Sequence, residues 1–356
     1  MNRCLSLFLS LIFSGTAIQG QDTLYVRKSI ETLCSKKCFG RGYTKKGLKA
    51  AEKYIVAEIR SAGTLPYFKH SYVSPFYHTV NTFPGKCGLK INGTSLTTGK
   101  DFIPSPDCPP LKGRFRMQQA DSTHFKDENG KLLITLRKKL TFSVAGAVEP
   151  IAEIDLDRNS LNGVPLDVEI NIRSKLVQNF ESRNIACYIE GSKNDSLIVF
   201  SAHYDHLGGI GKNTYFPGAN DNASGVSLLL DLIRYYKIHP PLYRTVFIFF
   251  AGEEAGLLGS KAFVSEHKSE LGKIKFLVNL DLLGTGDDGI MVVNGAIHEK
   301  ELAMLNTINA EKKLVKEIRK RGKAANSDHY WFTEAGVPAF FIYTMGGRSA
   351  YHDVYD

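Results

Sequence analysis

The chain has 356 residues, 43% of them hydrophobic and 23% charged, a balance that supports a sizeable core and excludes a disordered chain. Its 32 Gly and 13 Pro are near average and six Cys are few for this length, which excludes collagen-like and small disulfide-scaffold classes. The formal charge of +9 names no partner by itself: the densest basic run, Lys312 to Lys323, is interleaved with Leu314, Val315 and Ile318 at helical spacing and is expected to be a solvated helix face, not a nucleic-acid patch.

In chain order, Met1-Asn2-Arg3 followed by the apolar run Cys4–Phe13 and small residues reads as a signal peptide over residues 1–20, with cleavage after Ala17 or Gly20. That run is too short for a membrane span of about 20 residues, and no later segment is long enough, so an exported protein, periplasmic or secreted, is expected. Removal of Cys4 leaves Cys34, Cys38, Cys87, Cys108 and Cys187, an odd number whose pairing the sequence leaves open. Residues 21–83 open the main domain, with Leu48, Ala51, Ile55, Val56 and Ile59 on one face of a helix that ends near Gly63. Residues 84–166 carry Pro84, Pro104, Pro106, Pro109 and Pro110 with short strand-like runs, and are expected to form a small β-rich insertion. From Asp167 to Asp356 the buried runs Leu197–Phe200, Val246–Phe250, Phe276–Val278 and Ala339–Tyr343 alternate with helical patterns such as Val226, Leu229, Leu230 and Ile233. The expected fold is a three-layer α/β/α sandwich with a mixed, mostly parallel central sheet.

Ligand sites in such sheets gather at the carboxyl ends of strands. Here those ends carry His203, Glu253-Glu254 and Asp281, with Asp221 in the loop before a helix and His352 after the last run. Three carboxylates and two imidazoles (Asp221, Asp281, one of Glu253 and Glu254, His203 and His352) can hold two zinc ions if Asp221 bridges them. Glu253 and Glu254 are neighbours whose side chains diverge, so that one can bind metal while the other acts as general base. Asp205, two residues beyond His203, is placed to accept the other imidazole proton, and Tyr351 to donate to a developing oxyanion. Ser327-Asp328-His329 cannot all converge on one point and is read as support or pocket wall.

These residues resemble the zinc-dependent aminopeptidases of metallopeptidase family 28, through His203-Tyr204-Asp205-His206, Gly218–Gly225, Ala251–Ser260, Asn279–Gly284 and Tyr351-His352. The resemblance implies His203 and Asp281 on one zinc, Glu254 and His352 on the other, Asp221 bridging, and Glu253 as the base in removal of N-terminal residues from peptides. It also implies a terminal helix after the final histidine. This sequence stops four residues beyond His352, so that helix is expected to be missing and the second metal site weakened.

Glutaminyl cyclases with one zinc and non-catalytic binding proteins share the fold and are the alternatives; oligomeric state is not readable. The Gly284-x-Gly286-x-x-Gly289 pattern is followed by Ile290–Val293, which is strand-like, so a dinucleotide site is not expected.

Overall fold

Along Tyr243–Phe250 the buried side chains alternate between two cores. Phe247 and Phe249 pack with Ile55, Ile59, Val226 and Leu230, whereas Val246, Ile248 and Phe250 pack with Phe263, Leu277 and Phe332. A strand apolar on both faces needs helices on both sides. The computed structural model, which describes residues 21–161, 163–347 and 349–356, has this three-layer architecture. The export segment expected over residues 1–20 lies outside the described residues.

The strands of the main sheet are β1 (Leu65–Pro66), β2 (Val73–Thr82), β3 (Lys175–Ile189), β4 (Lys193–His203), β5 (Tyr243–Phe250), β6 (Ile274–Leu280), β7 (Gly289–Val293), β8 (Ile318–Lys320) and β9 (Ala339–Met345). Their order is β1-β3-β5-β4-β6-β9-β7-β8, with β2 also paired to β3. The central strands β5, β4, β6 and β9 are parallel, and antiparallel pairs join them to β3 and β7. From β4 the chain crosses to β5 on one side and then to β6 on the other. The carboxyl end of β4 is therefore a topological switch point, where an open α/β sheet leaves a crevice.

Helices α1 (Thr23–Leu33), α2 (Gly47–Ser61) and α3 (Ser224–Ile238) cover one face, and α4 (Leu258–Glu266) packs on the other. Helix α2 buries Leu48, Ala51, Ile55 and Ile59 on the expected stripe, with Val56 at its margin. Complete burial of Ile55 and Ile59 contributes about 1.5–3 kcal/mol each. Gly63, at φ +70°, turns the chain away after this helix, as its lack of a side chain allows. Helix α1 was not anticipated; Asp22 caps it by accepting from the Tyr25 amide at 3.0 Å.

Between β2 and β3 an eight-stranded sheet forms with its own core, built from residues such as Leu89, Phe102, Leu132, Ile154 and Ile170. The insertion is β-rich as read, but ending it at Leu166 stops one strand short. Asp167–Ile172 lies between Cys87–Ile91 and Leu111–Gln119, and its Val168, Ile170 and Ile172 fill the smaller core. The same core takes in Leu207, Ile210 and Phe216, from the loop that follows β4.

The basic run corrects a second expectation. Helix α5 (Glu299–Lys312) ends where Lys313 turns left-handed at φ 50°, and Ile318–Lys320 continues as edge strand β8, parallel to β7. Half-buried Ile318 joins the small core of Val292, Leu302 and Phe340, which outweighs the helical spacing of the charges. The five described cysteines are free thiols. No helix of the described residues is long and apolar enough to cross a membrane.

Candidate metal centre

His203 ends β4 and Asp281 follows β6 directly, so two adjacent parallel strands deliver an imidazole and a carboxylate to one point. His203 Nε2 is 3.2 Å from Asp281 Oδ1 and 3.2 Å from Asp221 Oδ1. The other oxygen of Asp221 faces a second imidazole, with Oδ2 3.1 Å from His352 Nε2, which is in turn 3.3 Å from Glu254 Oε2. Asp221 thus divides its two oxygens between two nitrogen-oxygen clusters. The Glu253 carboxylate belongs to the His203–Asp281 cluster and that of Glu254 to the opposite one, so the neighbouring glutamates do diverge.

Burial makes this arrangement electrostatically demanding. His203 is 1% exposed, Asp221 4% and Asp281 5%. Burial raises the carboxyl pKa of both Glu253 and Glu254, and nearby acids add to it. Burial also opposes ionised Asp221, but hydrogen bonds from His203 and His352 outweigh it and hold that carboxylate well below its usual range. His203 is displaced upward for the reciprocal reason: burial disfavours the imidazolium, and Asp281, Glu253 and Asp221 overcome it. Carboxylate oxygens and imidazole nitrogens at this density form a donor set suited to zinc, whose charge would offset the crowded acids.

Behind the His203–Asp281 cluster, Ser327 Oγ donates to Asp281 Oδ2 at 2.9 Å, Asn279 Nδ2 to Ser327 Oγ at 2.7 Å, and Ser201 Oγ to Asn279 Oδ1 at 2.8 Å. Ser327 therefore orients Asp281; Asp328 is fully buried close enough to His203, Asp205 and Asp281 for their charges to act on it, and His329 is fully buried against Phe341. Burial raises Asp328 to about 7 and lowers His329 to about 4.

Asp205 acts differently from its expected role. The hydrogen-bond partner of His203 Nδ1 is the Asp205 main-chain carbonyl at 3.2 Å, with the nearer carboxylate oxygen at 3.8 Å. The carboxylate instead accepts from the amides of Glu253 at 3.2 Å and Glu254 at 3.4 Å and from the Tyr43 hydroxyl at 2.9 Å. It fixes the turn that aims both glutamates. Tyr351 is 45% exposed, with its ring stacked on His352 at 4.0 Å between centroids.

One residue that the sequence reading left without a role stands inside the centre. His206 is fully buried, its Nδ1 2.7 Å from Glu254 Oε1, and burial pushes its pKa down to about 3, so the ring is neutral. Its place three residues after His203 in the same motif was the available signal.

Residues 184–356, which carry every ligand named above, match the family model for peptidase family M28. This part of the chain belongs to that family. Aminopeptidase YwaD of Bacillus subtilis (strain 168) is 28% identical over 203 residues, 56% of this chain and 43% of that protein. A probable leucine aminopeptidase of Arthroderma otae is 32% identical over 178 residues, 48% of each chain. This chain thus spans less than half the length of these two curated relatives. Among solved structures, BSAP, a zinc aminopeptidase from Bacillus subtilis, superposes with a TM-score of 0.65 at 19% identity, over 94% of this chain and 89% of that one. An aminopeptidase from Aneurinibacillus sp. strain AM-1 gives 0.62 at 19% identity, over 94% and 88%. These likenesses show that the described chain shares the fold of those two proteins.

Proposed function

We propose that this M28 chain is a zinc metallopeptidase that removes N-terminal residues from peptides, with two zinc ions held by His203, Asp221, Glu254, Asp281 and His352. The observation that carries the reading is the divided Asp221 carboxylate, 3.2 Å from His203 on one side and 3.1 Å from His352 on the other, with Glu253 clustered with His203 and Asp281. When bound, zinc supplies a Lewis acid for the scissile carbonyl and makes water a usable nucleophile near neutral pH.

Glu253 is the general base. Burial and the nearby Glu254 and Asp281 raise its pKa, which suits a carboxylate that must take a proton from water and pass it to the leaving amine. Asp205 fixes the Glu253 amide, and Tyr43 fixes Asp205, so the base is aimed by buried groups. Tyr351, lying against the His352 ring, donates its hydroxyl hydrogen to the oxyanion that develops on the substrate. Together with the export segment read from residues 1–20, this describes an exported peptidase.

The test joins metal analysis to release of an amino-acid anilide by the same sample. Two zinc per chain and anilide release are expected, and Glu253→Gln should keep the zinc while kcat falls about 10²–10⁴-fold. One zinc per chain with cyclisation of N-terminal glutamine would indicate the cyclase alternative. Less than one zinc and no turnover would indicate a binding protein.

A further inference from the structure

Arg41 lies in the segment between α1 and α2, outside the part of the chain that matches the family, yet it reaches the metal centre from behind. Its side chain is fully buried. Nε donates to the Tyr204 carbonyl at 3.0 Å, Nη1 to those of Pro217 at 2.6 Å and Leu33 at 3.4 Å, and Nη2 to those of Gly218 at 2.7 Å and Asp221 at 2.9 Å. Among the described residues its one side-chain hydrogen-bond partner is Cys34 Sγ at 4.0 Å. A buried cation held mainly by main-chain carbonyls, with no carboxylate in direct contact among the described residues, stabilises the fold weakly, because its desolvation is large. Such a group is better suited to fixing geometry, and three of its five carbonyls belong to the loop Pro217–Asp221.

The amides of that loop are held from the other side. Asp356 Oδ1 accepts from the Asn220 amide at 2.9 Å and Oδ2 from the Asp221 amide at 3.2 Å. Gly218, at φ +62°, admits the guanidinium: a Cβ there would sit 2.7 Å from Arg41 Nη2 and 2.4 Å from His206 Cδ2. The Arg41 main chain contributes too, its carbonyl accepting from the His206 amide at 3.3 Å.

The geometry points to Arg41, opposed by Asp356, as a positioning residue that sets the Asp221 carboxylate so that each oxygen serves a different half of the metal centre. A carboxylate that faces two clusters tolerates little rotation, since turning toward one lengthens its distance to the other. The planar fork of an arginine fixes the carbonyls of residues 217, 218 and 221 together, which the single ammonium of a lysine does not. The N-terminal segment is on this account part of the metal centre.

This inference rests on the two-zinc reading, and the experiment separates their failures. Full-length wild type, Arg41→Lys and Asp356→Asn are stripped of metal, their folding is checked by near-UV circular dichroism, and zinc is titrated against a chromophoric chelator. Cobalt absorption spectra are recorded in parallel, and Arg244→Lys, in a surface pair with Glu190, serves as the control. Wild type and control should bind two zinc. Folded Arg41→Lys and Asp356→Asn should lose about 10–100-fold in affinity for at least one of them and show an altered cobalt spectrum. If Arg41→Lys does not fold, Asp356→Asn decides. Wild-type affinity and spectrum in a folded variant overturn the role of Arg41, whereas a wild type that binds no zinc overturns the metal reading itself.

Discussion

The two halves of the metal centre are built on different supports. His203 and Asp281 stand at the ends of neighbouring parallel strands, with the His203 ring held by a main-chain carbonyl and Asp281 by the Ser327–Asn279–Ser201 chain. Glu254 and His352 stand on loops. Glu254 sits in a turn tied to Asp205, and His352 has a positive φ of 55° in a segment held largely by the insertion. The Phe142 amide donates to the His352 carbonyl at 2.8 Å, and Lys139 Nζ donates to the carbonyls of Ser349 at 2.7 Å and Tyr351 at 3.2 Å. The strand-borne half takes its geometry from the sheet; the loop-borne half takes it from contacts between regions distant in sequence. Strand ends are rigid supports for ligands, and loops are the segments that open at least cost.

The sharpest way to break this comparison is to remove one ligand at a time. Asp221→Ala removes the group both halves share, so zinc content should fall from two to none, with no measurable anilide release. His352→Ala should leave the strand-borne half able to hold one zinc, because His203, Asp221 and Asp281 keep their mutual distances. His203→Ala should be the more damaging of the two, since its ring lies within 3.2 Å of both Asp221 and Asp281. Metal content and zinc affinity of the three variants, measured together, check the order. Equal retention in His203→Ala and His352→Ala would remove the distinction between the halves.

The same contrast explains what was readable in advance. Continuous apolar runs announced β4, β5, β6 and β9, and residues at or just past the ends of such runs, His203, Glu253, Glu254 and Asp281, were visible as a group because strand order gathers them. Arg41 gave no such signal. Its function depends on a carbonyl cluster assembled from residues 33, 204, 217, 218 and 221, and neither carbonyls nor their convergence is written in side-chain pattern. Asp205 was noticed, but its partner was misjudged. On an extended chain its side chain lies on the same side as that of His203, yet the chain leaves β4 at that point and the carboxylate turns to the Glu253–Glu254 amides. The insertion boundary failed because Asp167–Ile172 has the alternation of any half-buried strand, and only its pairing partners say which sheet it joins.

Acid should act more gently than ligand removal. Two buried imidazoles stay neutral in the folded chain: His329, packed against Phe341, is lowered to about 4, and His206, against Glu254, to about 3, both by burial. Between the ordinary histidine value near 6.5 and these values, the unfolded chain takes up a proton that the folded chain refuses. Unfolding free energy therefore falls as pH falls through that window, by at most about 1.4 kcal/mol per pH unit for each group. Glu253, Glu254 and Asp328, whose carboxyls burial raises, act in the opposite sense over the same window, so the share of His329 is read as a difference: from pH 6.5 to 4.5 the metal-free His329→Gln protein, which cannot take up that proton in either state, should gain in denaturation midpoint relative to metal-free wild type. A constant difference across that range would show that His329 titrates alike in both states.

The smallest effect concerns the insertion's grip on the loop-borne half. Lys139 forms an ion pair with Asp353 at 3.1 Å in addition to its two carbonyl contacts, but the lysine is 45% exposed. Exposed pairs are worth about 0–1 kcal/mol, so Lys139→Ala should scarcely change global stability. Its consequence should appear where the loop carries chemistry. With Ser349 and Tyr351 released, zinc affinity at the His352 side should weaken severalfold while the His203 side is unaffected, because no contact of Lys139 reaches β4 or β6. Phe142 still donates to the His352 carbonyl in this variant, which keeps the loss modest. A Lys139→Ala protein that loses affinity on both sides equally would mean that the sheet and the loop yield together, and that the support for the two halves is one structure.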